Sequence, residues 1–527
     1  MRNPRPSFFI VHPSLTLDRR PSLFIFHCSL FILLSLFILH SSFFITGCSS
    51  STKPKTGSLS GRVILVNDTG DPSLDPVDFS GVTVALYELA VLDTTIVRIN
   101  QEYPQIGVQI NQETEFDHRN YNPISVVQTD ATGNFQFRKI PHGIYNLLAF
   151  KEGWGYKYLY SVVIDNEVNS ISIYREERQN FTKESETVLY PVRMLPSYID
   201  YPLTLRDARV YIASQSTNVF SQVVVEPNTK LLIAANTKID FHGSISTPTN
   251  GDTWHITASD GVYSTEQKVD FDCFDQVGFY AQDSLNLHGM IFEHSLNGVK
   301  LDSPQSHIEK CVIRKNQNHA ILCSGSSASI QQLVVSFNPL KGITAFNNFE
   351  LSSSIVHSNR DACFLSESNG MVRNSYFCNN YIAVRPFYGD ISIKNNCFDQ
   401  NKFSLSPCAS NPLIKDNNFY DNLCDIELNG YYTHVDNDYC DPNVEGNNFY
   451  GDGWYIHLKG INSVYGDGYG ARRGVDNDQV YPLNYLIEVD LTNHVYDASI
   501  PNSGVSYSVL FSPRRNVPNQ LAGLMSP

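Results

Sequence analysis

Apolar and polar positions recur with a step of about 21 residues between Leu285 and Leu458. One apolar column reads Phe292, Ile313, Val335, Val356, Phe377, Phe398 and Phe419, at steps of 21, 22, 21, 21, 21 and 21 residues, and Phe449 follows after 30. Five positions earlier stand Leu287, Ile308, Ile330, Leu351, Val372, Ile393, Ile414 and Val444. Three positions after the first column, asparagine stands at 316, 338, 359, 380, 401 and 422, with Ser295 and Asp452 at the ends. Seven positions after it run Val299, Ala320, Gly342, Cys363, Val384, Leu405, Ile426 and Ile456. Nine positions after it run Leu301, Leu322, Thr344, Leu365, Pro386, Pro407, Leu428 and Leu458. The gap of two between these last columns is strand alternation.

A unit this short cannot bury its apolar face alone, so the units must stack as coils. Strand pairing sets neighbouring coils ~4.8 Å apart. The asparagines then form a ladder of side-chain amides bonded from coil to coil. Leucine-rich repeats share the length but need a leucine spacing that is absent here. Short strands around Val210–Ile212, Gln222–Val225, Lys230–Ile233 and Thr237–Phe241 lead into the repeat. Together these features resemble the right-handed parallel β-helix of the pectate-lyase-like superfamily. The resemblance implies an all-β solenoid over residues 205–458, with a C-terminal cap over 459–527.

A different pattern precedes it. Gly61–Val66 and Gly81–Tyr87 alternate as strands, Thr129–Phe137 reads as a turn opening a strand, and Ile140–Tyr145 closes into the next. Gly61, Val63, Gly81, Val82, Val84, Thr129, Asp130, Gly133, Phe135, Gly143 and Tyr145 make residues 58–175 resemble the carboxypeptidase regulatory-like domain, a transthyretin-like β-sandwich. That family is not catalytic and serves as a stalk or docking module. Asp130 is expected to accept turn amides. An insert from Leu92 to Asn122 departs from the compact form, and residues 176–204 read as a connector.

Residues 1–47 begin with scattered arginines and continue into a run of Phe, Leu and Ile, the pattern of an export signal. Ile45-Thr46-Gly47-Cys48 resembles the lipobox of bacterial lipoproteins, including those of Bacteroidetes, which implies lipidation of Cys48. Residues 48–57 would be a polar tether, and the acyl chains would hold the protein at the outer membrane.

The formal charge of −15 argues against nucleic acid as a partner, because phosphate binding needs a basic face. Nine cysteines lie between Cys273 and Cys440 without the spacing of a zinc site or a disulfide ladder, so they read as buried single thiols. The resemblance to polysaccharide-degrading β-helices raises the question of catalysis. A lyase needs a charge neutraliser and a basic residue, and Arg314 and Lys315 are the candidates, in a coil that also holds Lys310 and His319. The aspartate motifs of the pectin hydrolases are missing. Asp436, Asp438 and Asp441 place oxygen ligands at spacings that suit Ca²⁺. Tyr450, Asp452, Trp454 and Asp467 lie in two Tyr-Gly-Asp-Gly-aromatic segments that suit sugar stacking or a cap. The combined expectation is a lipid-anchored cell-envelope protein whose β-helix binds glycan or another surface polymer without catalysis. A polysaccharide lyase acting on acidic polymers and a purely structural envelope protein are the alternatives.

Overall fold

The computed structural model describes residues 55–170, 187–249, 251–259, 273–408 and 410–429, with short strand segments between 431 and 459 and at Ser508–Val509. The chain is all-β and contains a parallel β-solenoid of right-handed type over residues 193–426, of about 10 turns. Its first strand, Arg193–Met194, pairs with Val210–Ala213, so the solenoid starts inside the segment expected to be a connector.

The N-terminal region holds two sheets. Thr83–Tyr87 lies between Ser125–Gln128 and Gly143–Phe150, and Tyr156–Ile164 completes that antiparallel sheet. Thr56–Leu65 runs in the second sheet with Asn134–Pro141, and it pairs in parallel with Val168–Ser170 and Thr187–Leu189. Val63, Val84, Phe135, Phe137, Leu147 and Ile164 share one core. Asp130 Oδ1 accepts from the amides of Thr132 and Asn134, both at 2.9 Å, the turn role expected of it. Gly133 is required there: its φ is +84°, and a Cβ would stand 2.2 Å from the Val63 carbonyl oxygen.

In the solenoid, the two leading apolar columns pair in register from coil to coil. Leu287, Ile308, Ile330, Leu351, Val372, Ile393, Ile414 and Val444 form one row in a 19-stranded sheet. Phe292 through Phe449 form the other, in a 12-stranded sheet. As far as Ile414 and Phe419 both rows point inward, and Phe377, Phe398 and Phe419 stack with centroids 5.2 and 5.0 Å apart.

The asparagine ladder forms as expected. The amides of Asn316, Asn338, Asn359, Asn380 and Asn401 each donate to the Oδ1 of the next asparagine at 2.8–3.1 Å. From Asn359 onward each Nδ2 also donates to a carbonyl 24 residues earlier. A second ladder, Ser354–Ser375–Asn396–Asn417–Asn447, runs at the preceding corner. The residue before each ladder step has positive φ, as in Lys315, Phe337, Ser358, Asn379 and Gln400. Such a backbone costs about 1–2 kcal/mol at a non-glycine residue, and the buried amide bonds offset it.

Two columns need correction. The inward row is Val299, Ile321, Ile343, Cys363, Val384, not Ala320 and Gly342 at its second and third places. The next row accordingly uses Cys323 and Ala345 rather than Leu322 and Thr344. From Asn316 to Ile321, and from Asn338 to Ile343, the chain takes five steps. It takes four from Ser295 to Val299 and from Asn359 to Cys363. Two successive coils thus carry one extra residue just after the ladder, and the larger apolar side chains take the interior.

The insert folds onto the solenoid. Helix α1 (Thr94–Glu102) is capped by Asp93, whose Oδ1 accepts from Thr95 and Ile96. Ile96, Ile99, Tyr103, Ile106 and Ile110 pack against Ile291, Val312, Val334, Ile355 and Tyr376. Those solenoid residues are the outward neighbours of the inward phenylalanine row. Gly107, at φ +69°, donates its amide to Ser353 O at 2.7 Å, and a Cβ there would meet Ile355 Cδ1 at 2.7 Å.

Candidate functional site

The outer surface of the 19-stranded sheet carries a groove of about 440 Å³ lined by Asn318, His319, Leu340, Lys341, Arg360, Asp361, Tyr381 and Arg385. It lies where the two over-long coils leave the asparagine ladder. The extra residue turns His319 and Lys341 into a pair on adjacent strands, followed in register by Asp361.

The groove gathers cations one coil after another: Lys341, then Arg360, then Arg385, with Lys402 adjoining through Tyr381. Arg385 Nη1 stands 3.3 Å from Asp361 Oδ2, while its Nε is buried without a hydrogen bond. Lys341 Nζ lies 4.5 Å from the Phe364 ring centre and Lys402 Nζ 4.4 Å from that of Tyr381. Among the described residues, neither lysine nor the exposed Arg360 has a carboxylate within ion-pair distance. The site is therefore locally basic in an acidic chain. Burial, and then the neighbouring Lys341, lower the His319 pKa from its ordinary 6.5, so its imidazole is neutral at pH 7. Its Nδ1 lies 3.1 Å from Thr344 Oγ1. Leu340 and Tyr381, 42% and 44% exposed, give the rim apolar faces.

A second groove of about 560 Å³ crosses five coils on the other arm of the same sheet, lined mainly by hydroxyls and amides such as Ser284, Asn286, Gln305, Ser329 and Asn348. Its one carboxylate, Glu350, is held by Arg373 at 2.8 Å. It therefore offers hydrogen bonds and no free charge.

Arg314, expected on an outward basic coil, is only 5% exposed and lies beneath the insert. Its Nε donates to Glu293 Oε2 at 3.0 Å, Nη1 to Glu115 Oε2 at 2.6 Å and Nη2 to Thr114 O at 2.7 Å. Glu115 and Thr114 belong to α2 (Gln112–Glu115) of the insert. A guanidinium with three partners and no solvent is a fastener, not a group open to a polymer. Lys315 Nζ lies 3.8 Å from Glu293 Oε2, at the edge of this cluster and apart from the groove residues. Of the basic residues first expected on that coil, only His319 lines the groove.

Cys48, Asp436, Asp441, Asp452 and Asp467 lie outside the described residues, as do the side chains of Asp438, Tyr450 and Trp454. Cys311, Cys323, Cys363, Cys378, Cys397 and Cys424 are buried free thiols. Sequence reasoning missed Lys341, Arg360, Tyr381 and Arg385. The available signal was the 22-residue step between Ile313 and Val335, which marks a coil that departs from the repeat.

Comparison with protein-family models, with curated proteins and with solved structures gives no match.

Proposed function

We propose that this chain is a lipid-anchored cell-envelope protein whose β-solenoid binds an acidic polysaccharide along the groove from His319 to Arg385. The observation that carries the reading is the placement of Lys341 and Arg360 on successive coils of an otherwise acidic protein, without an ion-pair partner among the described residues. Coils repeat every ~4.8 Å, close to the length of one extended sugar unit. A polymer with a carboxylate on each sugar, lying along the solenoid axis, can thus meet one cation per coil. Leu340 and Tyr381 offer apolar faces to the sugar rings, and the acidic remainder of the surface discourages polyanions elsewhere.

The N-terminal region is read as a carboxypeptidase regulatory-like sandwich that acts as a stalk, with the Cys48 lipobox as its anchor. The two-sheet core and the Asp130–Gly133 turn support that reading.

Binding of full-length protein to polygalacturonate and to alginate, measured by calorimetry, tests the proposal. Arg360→Ala and Lys341→Ala should each weaken binding roughly 5- to 10-fold, and affinity should fall as salt is raised. Equal affinity of the variants, or binding indifferent to salt, would sink it. The lyase alternative is favoured by one observation: neutral His319 stands beside Lys341, a proton acceptor next to a charge that could steady a substrate carboxylate. Ultraviolet absorbance of unsaturated product, lost in His319→Ala, would establish it.

A further inference from the structure

The buried cluster beneath the insert carries an inference independent of the groove. A carboxylate oxygen of Asp117, one of Glu293 and a ring nitrogen of His294 all lie within 4.8 Å of one another, and all three residues are buried. Among the described residues, Asp117 and Glu293 are buried carboxylates, Arg119 and Arg314 are buried guanidiniums, and Glu115, 13% exposed, adds a third carboxylate at the edge. Arg119 is committed to both oxygens of Asp117 at 2.7–2.9 Å, to Thr257 Oγ1 at 3.0 Å and to Ala258 O at 2.7 Å. Arg314 is divided between Glu293, Glu115 and Thr114. The remaining cation, Lys315, is 35% exposed and outside hydrogen-bond distance. His118 faces Asp117 Oδ1 at 3.8 Å, and its Nδ1 is 2.7 Å from Tyr158 OH.

Glu293 is the telling residue. It is 0% exposed, and its Oε2 receives the Arg314 bond. Its Oε1 is sealed from solvent and has no hydrogen-bond partner among the described residues, with His255 Nε2 3.3 Å away. A buried carboxylate oxygen left this way calls for a cation or water. His294 Nε2 stands 3.9 Å from Glu293 Oε2, and burial lowers its pKa to about 4, which keeps the ring neutral.

We propose that Asp117, Glu293 and His294 hold one divalent cation of the class that takes mixed imidazole and carboxylate ligands, zinc being the type. Asp117 comes from the insert and the other two from the solenoid, so the cation fastens one to the other.

Full-length protein dialysed against Zn²⁺ and then metal-free buffer should retain about one equivalent, and chelation should lower its melting temperature by roughly 5 °C. Co²⁺ should give the visible bands of a low-coordinate site. Those bands should vanish in His294→Ala and Glu293→Gln and persist in His307→Ala, on the open face. No retained zinc and no cobalt bands in the wild-type protein overturn the proposal and leave an ion-pair network. Bands that survive in a folded His294→Ala protein overturn it too, by placing the metal elsewhere. If the variants do not fold, the wild-type titration decides alone.

Discussion

The outer faces of the two long sheets differ in what they leave for solvent. The 12-stranded sheet presents Ile291, Val312, Val334 and Ile355, and the insert covers them. The 19-stranded sheet presents His319, Lys341, Arg360 and Arg385, and among the described residues nothing covers the exposed Arg360 and Tyr381. Both faces enclose the same apolar interior. The difference lies in the outward positions alone, and it teaches that one repeat can serve cohesion on one side and recognition on the other.

The largest expected effect comes from breaking the covered face. Ile99→Asp would bury a carboxylate among Ile355, Val334 and Tyr376. It should cost about 3–5 kcal/mol or release the insert, seen as a lower melting temperature and rapid proteolysis between residues 92 and 122. Next comes the ladder that both faces share. Asn380→Ala removes the acceptor of the Asn359 amide and the donors to Val356 O and Asn401 Oδ1, and should cost roughly 2–4 kcal/mol by denaturant melts. A loss under ~0.5 kcal/mol would mean that water replaces the ladder without penalty.

Acid should act on the covered side first. Burial works to raise the carboxyl of Asp93, but His357 and the helix amides hold it below its ordinary 3.8. Desolvation works to raise the partly buried Asp68 as well, yet Arg209, Arg193 and Arg206 hold it below 3.8. Both pKa values are depressed in the fold, so their contribution is full above the unfolded value of 3.8 and is lost as pH falls below it. Melts between pH 6 and pH 3 should therefore steepen at the acid end, less so in Asp93→Asn. The smallest effect on stability belongs to the open face: Arg360→Ala should leave the melting temperature within about 1 °C while weakening polymer binding. A large stability loss there would show that the open face is structural after all.

The inward phenylalanine row, the row from Leu287 to Val444 and the asparagine ladder were legible in the sequence because each is a local choice repeated at a fixed step. The groove was not, because it depends on a shift of register in two coils, which a fixed count assigns to Ala320 and Gly342. Size and hydrophobicity alone favour Ile321 and Ile343 as the inward residues. The covered face was half legible. Ile291, Val312, Val334 and Ile355 directly precede the inward row, and strand alternation turns them outward, so a covering element was implied. Its identity was not, since the insert meets those strands about 200 positions away in sequence. Arg314 was misplaced for the same reason: its partners Glu115 and Thr114 are invisible from its own coil.

A strict repeat has no address, since every coil offers a ligand the same surface as its neighbour. One added residue in each of two consecutive coils gives this solenoid a location, and the inward rows close over the irregularity without a break. Binding positions on such a scaffold can therefore be shifted along the axis by single-residue insertions, each moved by one coil and none requiring a new core.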